Sequence, residues 1–372
     1  MTVADKLTKP GPRKLLALDG GGIRGLITIE VLAEIERLLK DEPGAGDDFV
    51  LAEYFDYIAG TSTGAVIATC LAVGMSVDRI REFYLENAVD MFDKSRLLDR
   101  FRFKYEDDRL AARLRKELGE ETTLGSERLR TLLLVVMRNA TTDSPWPLSN
   151  NPAALYNRPE REFRNLDIPL WQLVRASTAA PTFFPPEVID IGGGKSFVFV
   201  DGGVTMFNNP AFQLFLMATL EPYHLAWATG EKEMLLVSIG TGTNPRANED
   251  LQPGEMNLVY NAASIPAALM GAALNEQDVL CRVFGRRLEG EPIDRELGDL
   301  ATASGPVDPK LFTYARYNAE LSQEGLTLLG LPDIHPADVQ RLDSIKHMPE
   351  LQRVGRAVAA KVKREHFASF AI

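Results

Sequence analysis

Short apolar runs recur along the chain, and several end in a glycine-containing turn followed by a segment of helical spacing. Leu15 to Leu18 is such a run; it enters Asp19-Gly20-Gly21-Gly22 and reads as a buried strand meeting a tight turn. From Leu26 to Lys40, the apolar residues Ile29, Leu32, Ala33, Ile35 and Leu39 recur among Glu34, Glu36, Arg37 and Lys40. That spacing predicts an amphipathic helix, closed by Pro43 and Gly44. Tyr57-Ile58-Ala59 predicts a second strand, and Ala65 to Val73 a buried helix. Val77 to Phe92 and Asp107 to Leu118 have helical spacing. Leu132 to Met137, Phe197 to Val200 and Leu235 to Ile239 predict strands, the last two running into Asp201-Gly202-Gly203 and Gly240-Thr241-Gly242. Near the end, Pro336 to Ser344 and Met348 to His366 read as helices.

Apolar strands that each feed a turn and then a helix need cover on both faces. The expected fold is therefore a three-layer α/β/α sandwich around a mostly parallel central sheet. In such sheets reactive residues gather at the carboxyl ends of strands. The absence of a linker-like stretch predicts a single domain over residues 1–372, with its core motifs in 15–242. Residues 95–172 carry a less regular pattern and read as a cap or insertion, and 310–372 reads as a C-terminal helical extension.

Composition narrows the partners. The net charge of -11 argues against nucleic acid, which needs a basic surface to displace phosphate counterions. Cys70 and Cys281 stand alone, outside any Cys-x-x-Cys pair, so neither a zinc cluster nor a disulfide framework is expected. Met1 to Lys14 is polar and lacks the apolar core of a signal peptide. No run of about 20 apolar residues predicts a membrane-spanning helix. The expected location is cytoplasmic; for a lipid substrate, contact with membranes would be peripheral.

The chemistry starts at Gly60-Thr61-Ser62-Thr63-Gly64, a Gly-x-Ser-x-Gly pattern between a predicted strand and a predicted helix. A serine on so sharp a turn exposes its hydroxyl, and glycines two residues away on each side let the backbone pass. A serine hydroxyl needs a base. The four histidines, His224, His335, His347 and His366, follow no strand-ending turn. Asp201 does, and is the candidate proton acceptor, with Gly202 and Gly203 completing its turn. The amides of Gly20, Gly21 and Gly22 are candidates for holding an oxyanion, in a loop that continues through Arg24 and Gly25. Arg24 would fix the loop or attract a phosphate. The same glycines satisfy Gly-x-Gly-x-x-Gly, which leaves a dinucleotide-binding alternative over Gly20 to Gly25. Two features count against it: Asp19 would repel a pyrophosphate, and no strand precedes Lys40-Asp41-Glu42.

Together the three motifs resemble the patatin-like phospholipase family. Ala176-Ser177-Thr178-Ala179-Ala180-Pro181, Asn208-Asn209-Pro210 and Leu236 to Gly242 resemble the family's neighbouring segments. The resemblance implies a serine–aspartate dyad of Ser62 and Asp201, with Gly20, Gly21 and Gly22 as the oxyanion hole. It implies a lipid acyl hydrolase of phospholipase A or lysophospholipase type that needs no cofactor or metal. The implied partners are phospholipid, lysophospholipid or another acyl-ester lipid. A non-catalytic lipid-binding or storage relative is the other reading within the family. Ser95 to Tyr105 mixes Phe101 and Phe103 with basic residues, and is a candidate for lipid contact.

Overall fold

The structure is a computed structural model that describes residues 1–92, 109–181, 183–244 and 258–371. The candidate lipid contact at Phe101 and Phe103 lies outside these residues.

Among the described residues the strands are β1 (Arg13–Leu18), β2 (Tyr57–Thr61), β3 (Leu132–Asn139), β4 (Ser144–Ser149), β5 (Glu187–Asp190), β6 (Ser196–Asp201), β7 (Met234–Ile239), β8 (Gly285–Glu289) and β9 (Phe312–Tyr317). They form one sheet in the order β5-β6-β3-β2-β1-β7-β9-β8, with β4 also paired to β3. The pairs from β3 across to β8 are parallel; β4 and β6 are antiparallel to β3. Side chains alternate across the central strands. Leu16, Leu18, Ile58, Val135 and Val237 enter one apolar core, and Leu15, Ala17, Ala59, Leu134 and Leu236 the other. Helices Gly25–Lys40, Thr63–Ala72 and Met348–Ala359 cover the first face, and Ala211–Thr219 the second. The result is the three-layer, mostly parallel α/β sandwich that the pattern predicts.

Three expectations change. β3 and β4 lie inside the stretch that read as a cap, yet they belong to the central sheet. Each central strand buries both faces, and the Leu132 to Met137 run meets that requirement. β9 likewise puts a sheet strand at the start of the expected helical extension. The helix expected over 336–344 stops at Val339, and that expected over 348–366 stops at Ala359. Beyond Ala359 the chain turns so that Val362, Phe367 and Phe370 return to the core.

The register along β3 sets up the site. β2 pairs with β3 as far as Thr61 opposite Val136, and β6 ends with Asp201 opposite Met137. β4 occupies the other edge of β3 over the same residues. β2 and β6 therefore lie along one edge and run toward each other, carboxyl end to carboxyl end.

Candidate active site

Ser62 follows β2 and precedes the helix Thr63–Ala72, all ten residues of which are buried. Its backbone sits at φ 54°, ψ -122°, a left-handed strain unusual for a non-glycine residue. The turn is packed so tightly that a Cβ on Gly60 would lie 2.1 Å from the Gly64 carbonyl oxygen. One on Gly64 would lie 2.3 Å from the carbonyl oxygen of Leu18, at the end of β1. Only glycine allows these approaches, which explains the motif's spacing. Ser177 Oγ accepts from the Ser62 amide at 2.9 Å and donates to the Val136 carbonyl at 2.6 Å. That hydroxyl ties the turn to β3. Sequence reasoning placed Ser177 in a matching segment but gave it no role.

Ser62 Oγ donates to Asp201 Oδ2 at 2.6 Å. The other carboxylate oxygen of Asp201 accepts from the Gly203 amide at 2.6 Å, so the turn after β6 fixes the carboxylate. Gly202 passes so close to β3 that a Cβ there would lie 2.3 Å from the Val136 carbonyl oxygen. Asp201 is 5% exposed. Burial pushes its pKa up to about 6, against the hydrogen bonds from Ser62 and Gly203, which pull it down.

The glycine-rich loop follows β1. Thr241 Oγ1 donates to the Gly20 carbonyl at 2.8 Å, and the Gly20 amide donates to the Asn208 carbonyl at 3.0 Å. Gly20 is therefore engaged on both sides. The Gly21 and Gly22 amides make no hydrogen bond among the described residues. Ile23 closes the loop by donating to the Leu342 carbonyl at 3.0 Å, and Gly25 starts the next helix against Thr63.

Asp19, 1% exposed, begins this loop and is gripped at both oxygens by Arg316 of β9, at 2.9 and 2.5 Å. Burial raises the Asp19 carboxyl above its usual range, and Arg316 opposes that rise. Arg316 also donates to Ser238 Oγ of β7 at 2.6 Å. A buried pair held this way links three neighbouring strands beneath the loop.

A cavity of about 260 Å³ opens onto these groups. Ser62, Asp201, Gly20, Gly21 and Gly22 line it, together with the apolar side chains of Met91, Phe92, Leu110 and Met270. Arg24 also lines it. Burial lowers the Arg24 pKa to about 10, with Asp19 opposing, and its Nε is buried with no hydrogen-bond partner. None of the four histidines lines the cavity. His366 instead bonds Tyr317 at 2.6 Å, and His224 bonds Arg158 at 2.8 Å. Among the described residues, no cluster of His, Cys, Asp and Glu could hold a metal ion, and Cys70 and Cys281 are buried free thiols.

The architecture and site define an α/β protein with a strained serine hydrogen-bonded to a buried carboxylate beside an apolar cavity. The sequence matches the patatin-like phospholipase family over residues 16–215. A cGAMP-activated phospholipase of Vibrio cholerae serotype O1 is 34% identical over 213 residues, covering 54% of this chain and 56% of that protein. Patatin-17 of Solanum cardiophyllum is 32% identical over 245 residues, covering 62% and 60%. Patatin-like protein 1 of Arabidopsis thaliana is 29% identical over 339 residues, covering 78% of each. The chain thus spans under two thirds of the first two relatives. It belongs to the patatin-like phospholipase family.

The structure also bears on the dinucleotide alternative. After the helix Gly25–Lys40 the chain passes through turns and the short helix Leu51–Tyr54 before β2. Among the described residues, no strand between that helix and β2 ends in an acidic residue where a ribose would be held. Among the described residues, no helix is long and apolar enough to cross a membrane.

Proposed function

We propose that this chain, acting as a single catalytic domain, hydrolyses carboxylic ester bonds of lipids through Ser62 and Asp201. The reading is carried by the 2.6 Å bond between Ser62 Oγ and Asp201, made beside the two unpaired loop amides. Ser62 attacks the ester carbonyl while its proton passes to Asp201. The oxyanion of the tetrahedral intermediate faces the Gly21 and Gly22 amides, a role for which the Gly20 amide is already engaged. Asp201 then returns the proton to the departing alcohol. Water attacks the resulting acyl-serine and gives a proton to Asp201; the acyl–Oγ bond then breaks, the fatty acid leaves, and Asp201 returns the proton to Ser62 Oγ.

Phospholipids, lysophospholipids and other acyl-ester lipids fit this site as substrates. The cavity lies just below the roughly 300 Å³ at which ordinary ligand pockets begin, so it suits one acyl chain. Arg24 gives a phosphate-bearing headgroup a cation on the cavity wall. Peripheral contact with a membrane follows from the substrate, since the ester groups of a phospholipid lie at the boundary of headgroups and acyl chains.

The test is hydrolysis of a p-nitrophenyl ester and of phosphatidylcholine by wild type, Ser62→Ala and Asp201→Asn, with fluorophosphonate labelling of the serine. Both variants should lose turnover by at least about a thousandfold. Turnover persisting in Ser62→Ala would remove the mechanism.

A further inference from the structure

The helix Leu258–Phe284 runs for 27 residues and has two unlike halves. Its C-terminal half is anchored. Cys281 and Arg282 are buried, Arg282 pairs with Asp278 at 2.7 Å, and Tyr314 donates to the same carboxylate at 2.9 Å. The N-terminal half carries exposed apolar side chains. Ile265 is 51% and Leu269 64% exposed, and Ala268 and Ala272 are exposed beside them. The spacing of these four puts them on one stripe.

No charged residue occurs from Met256 to Asn275. The chain's overall 25% of charged residues would put about five in those twenty positions, so the segment is set apart. Met270, next to Leu269, lines the cavity that holds Ser62. Two other elements repeat the arrangement. Val204 and Met206, 40% and 49% exposed, follow Asp201, and Val89, 40% exposed, precedes the cavity residues Met91 and Phe92. On three separate elements, exposed apolar side chains thus stand close in sequence to residues that line the cavity, and Val204 itself lines it.

We propose that the stripe of Ile265, Ala268, Leu269 and Ala272 lies on a zwitterionic lipid surface and that single lipid molecules pass from it by Met270 to Ser62. The proposal rests on the ester-hydrolase reading and names the surface from which its substrate comes. An apolar stripe without lysines or arginines gains its affinity from burial in the acyl boundary, not from anionic headgroups. The net charge of -11 would oppose an anionic surface. A second copy of the chain seated on the same stripe would cover the route past Met270, which a lipid surface keeps supplied.

The experiment compares the full chain with Ile265→Glu/Leu269→Glu in flotation with phosphatidylcholine vesicles, together with sedimentation velocity of each. Wild type should float. The double variant should partition at least about tenfold more weakly, with vesicle hydrolysis falling in step, since two large apolar side chains leave the lipid. Its rate on a soluble short-chain p-nitrophenyl ester should stay at the wild-type value, showing an intact fold. Equal partitioning of the two proteins overturns the proposal. So does a wild-type dimer that the substitutions convert to a monomer without any vesicle binding. Ser62→Ala should float like wild type. Flotation without ester turnover therefore leaves this surface standing while sinking the catalytic reading, and turnover without flotation does the reverse.

Discussion

Asp201 reaches Ser62 because the strands leading to them approach head-on along one edge of β3, opposite the consecutive residues Met137 and Val136. Backbone pairing fixes the separation to within the length of one hydrogen bond. The carboxylate is buried at the junction, and its pKa of about 6 follows from that burial.

The pH dependence of turnover tests the role of that carboxylate. Only its ionised form accepts the serine proton, so kcat/KM on a soluble ester should rise about tenfold per pH unit below about 6 and level off above it. A profile that stays flat from acid to neutral pH would exclude Asp201 as the base.

Stability should move the other way. A carboxyl whose proton is held more tightly in the folded chain than at its ordinary 3.8 favours folding most at low pH. That advantage is complete below about 4 and is lost as pH rises through about 6. The two-unit rise corresponds to about 3 kcal/mol at pH 8. Asp201→Asn removes the charge and keeps the shape. In urea titrations it should be more stable than wild type by about 1–3 kcal/mol at pH 8, with the gain shrinking toward pH 4.

Ser177 is expected to act through the turn it holds. Ser177→Ala takes away the acceptor of the Ser62 amide and the donor to Val136. An unfolding stability lower by about 1–2 kcal/mol should accompany a kcat reduced by about tenfold with KM for a soluble ester unchanged. A fall in stability with kcat intact would reduce Ser177 to a packing role.

The buried pair of Asp19 and Arg316 invites a double-variant cycle. Arg316→Met leaves the Asp19 carboxylate buried without its partner, and should cost about 3–5 kcal/mol. Adding Asp19→Asn removes the stranded charge, so the double variant should recover much of that loss. Additive losses in urea unfolding would show that the two side chains do not act as a pair.

Gly21 tests the loop itself. A Cβ there would meet Thr241 Oγ1 at 2.1 Å, so Gly21→Ala has to displace the loop. Turnover of a soluble ester should fall by about a hundredfold or more, the scale on which a lost oxyanion donor acts. Wild-type turnover in this variant would place the oxyanion elsewhere.

Local signals show plainly in the sequence, and long-range ones do not. The Phe197 to Val200 run marks a strand, but its antiparallel direction is set by pairing with β3, some sixty residues earlier in the chain. The N-terminal half of Leu258–Phe284 has no charged residue, so its sequence lacks the contrast of charged and apolar positions that marks the helix Gly25–Lys40. Arg316 in a strand reads as an outward position; only Asp19, 297 residues away, accounts for its burial. The turns that carry Ser62, Asp201 and the glycine loop show in the sequence because sharp turns demand particular residues at particular spacings. The engagement of the Gly20 amide by the Asn208 carbonyl does not show there, because it joins segments nearly 190 residues apart.

The closure of Ile23 onto Leu342, and of Asp19 onto Arg316, has a consequence for biosynthesis. Ser62 and its carboxylate emerge in the first 201 residues, but the loop beside them is braced by residues made more than a hundred positions later. A growing chain released before residue 342 would carry Ser62 without that brace, so the loop beside the serine is held in place only once β9 and Leu342 have been made.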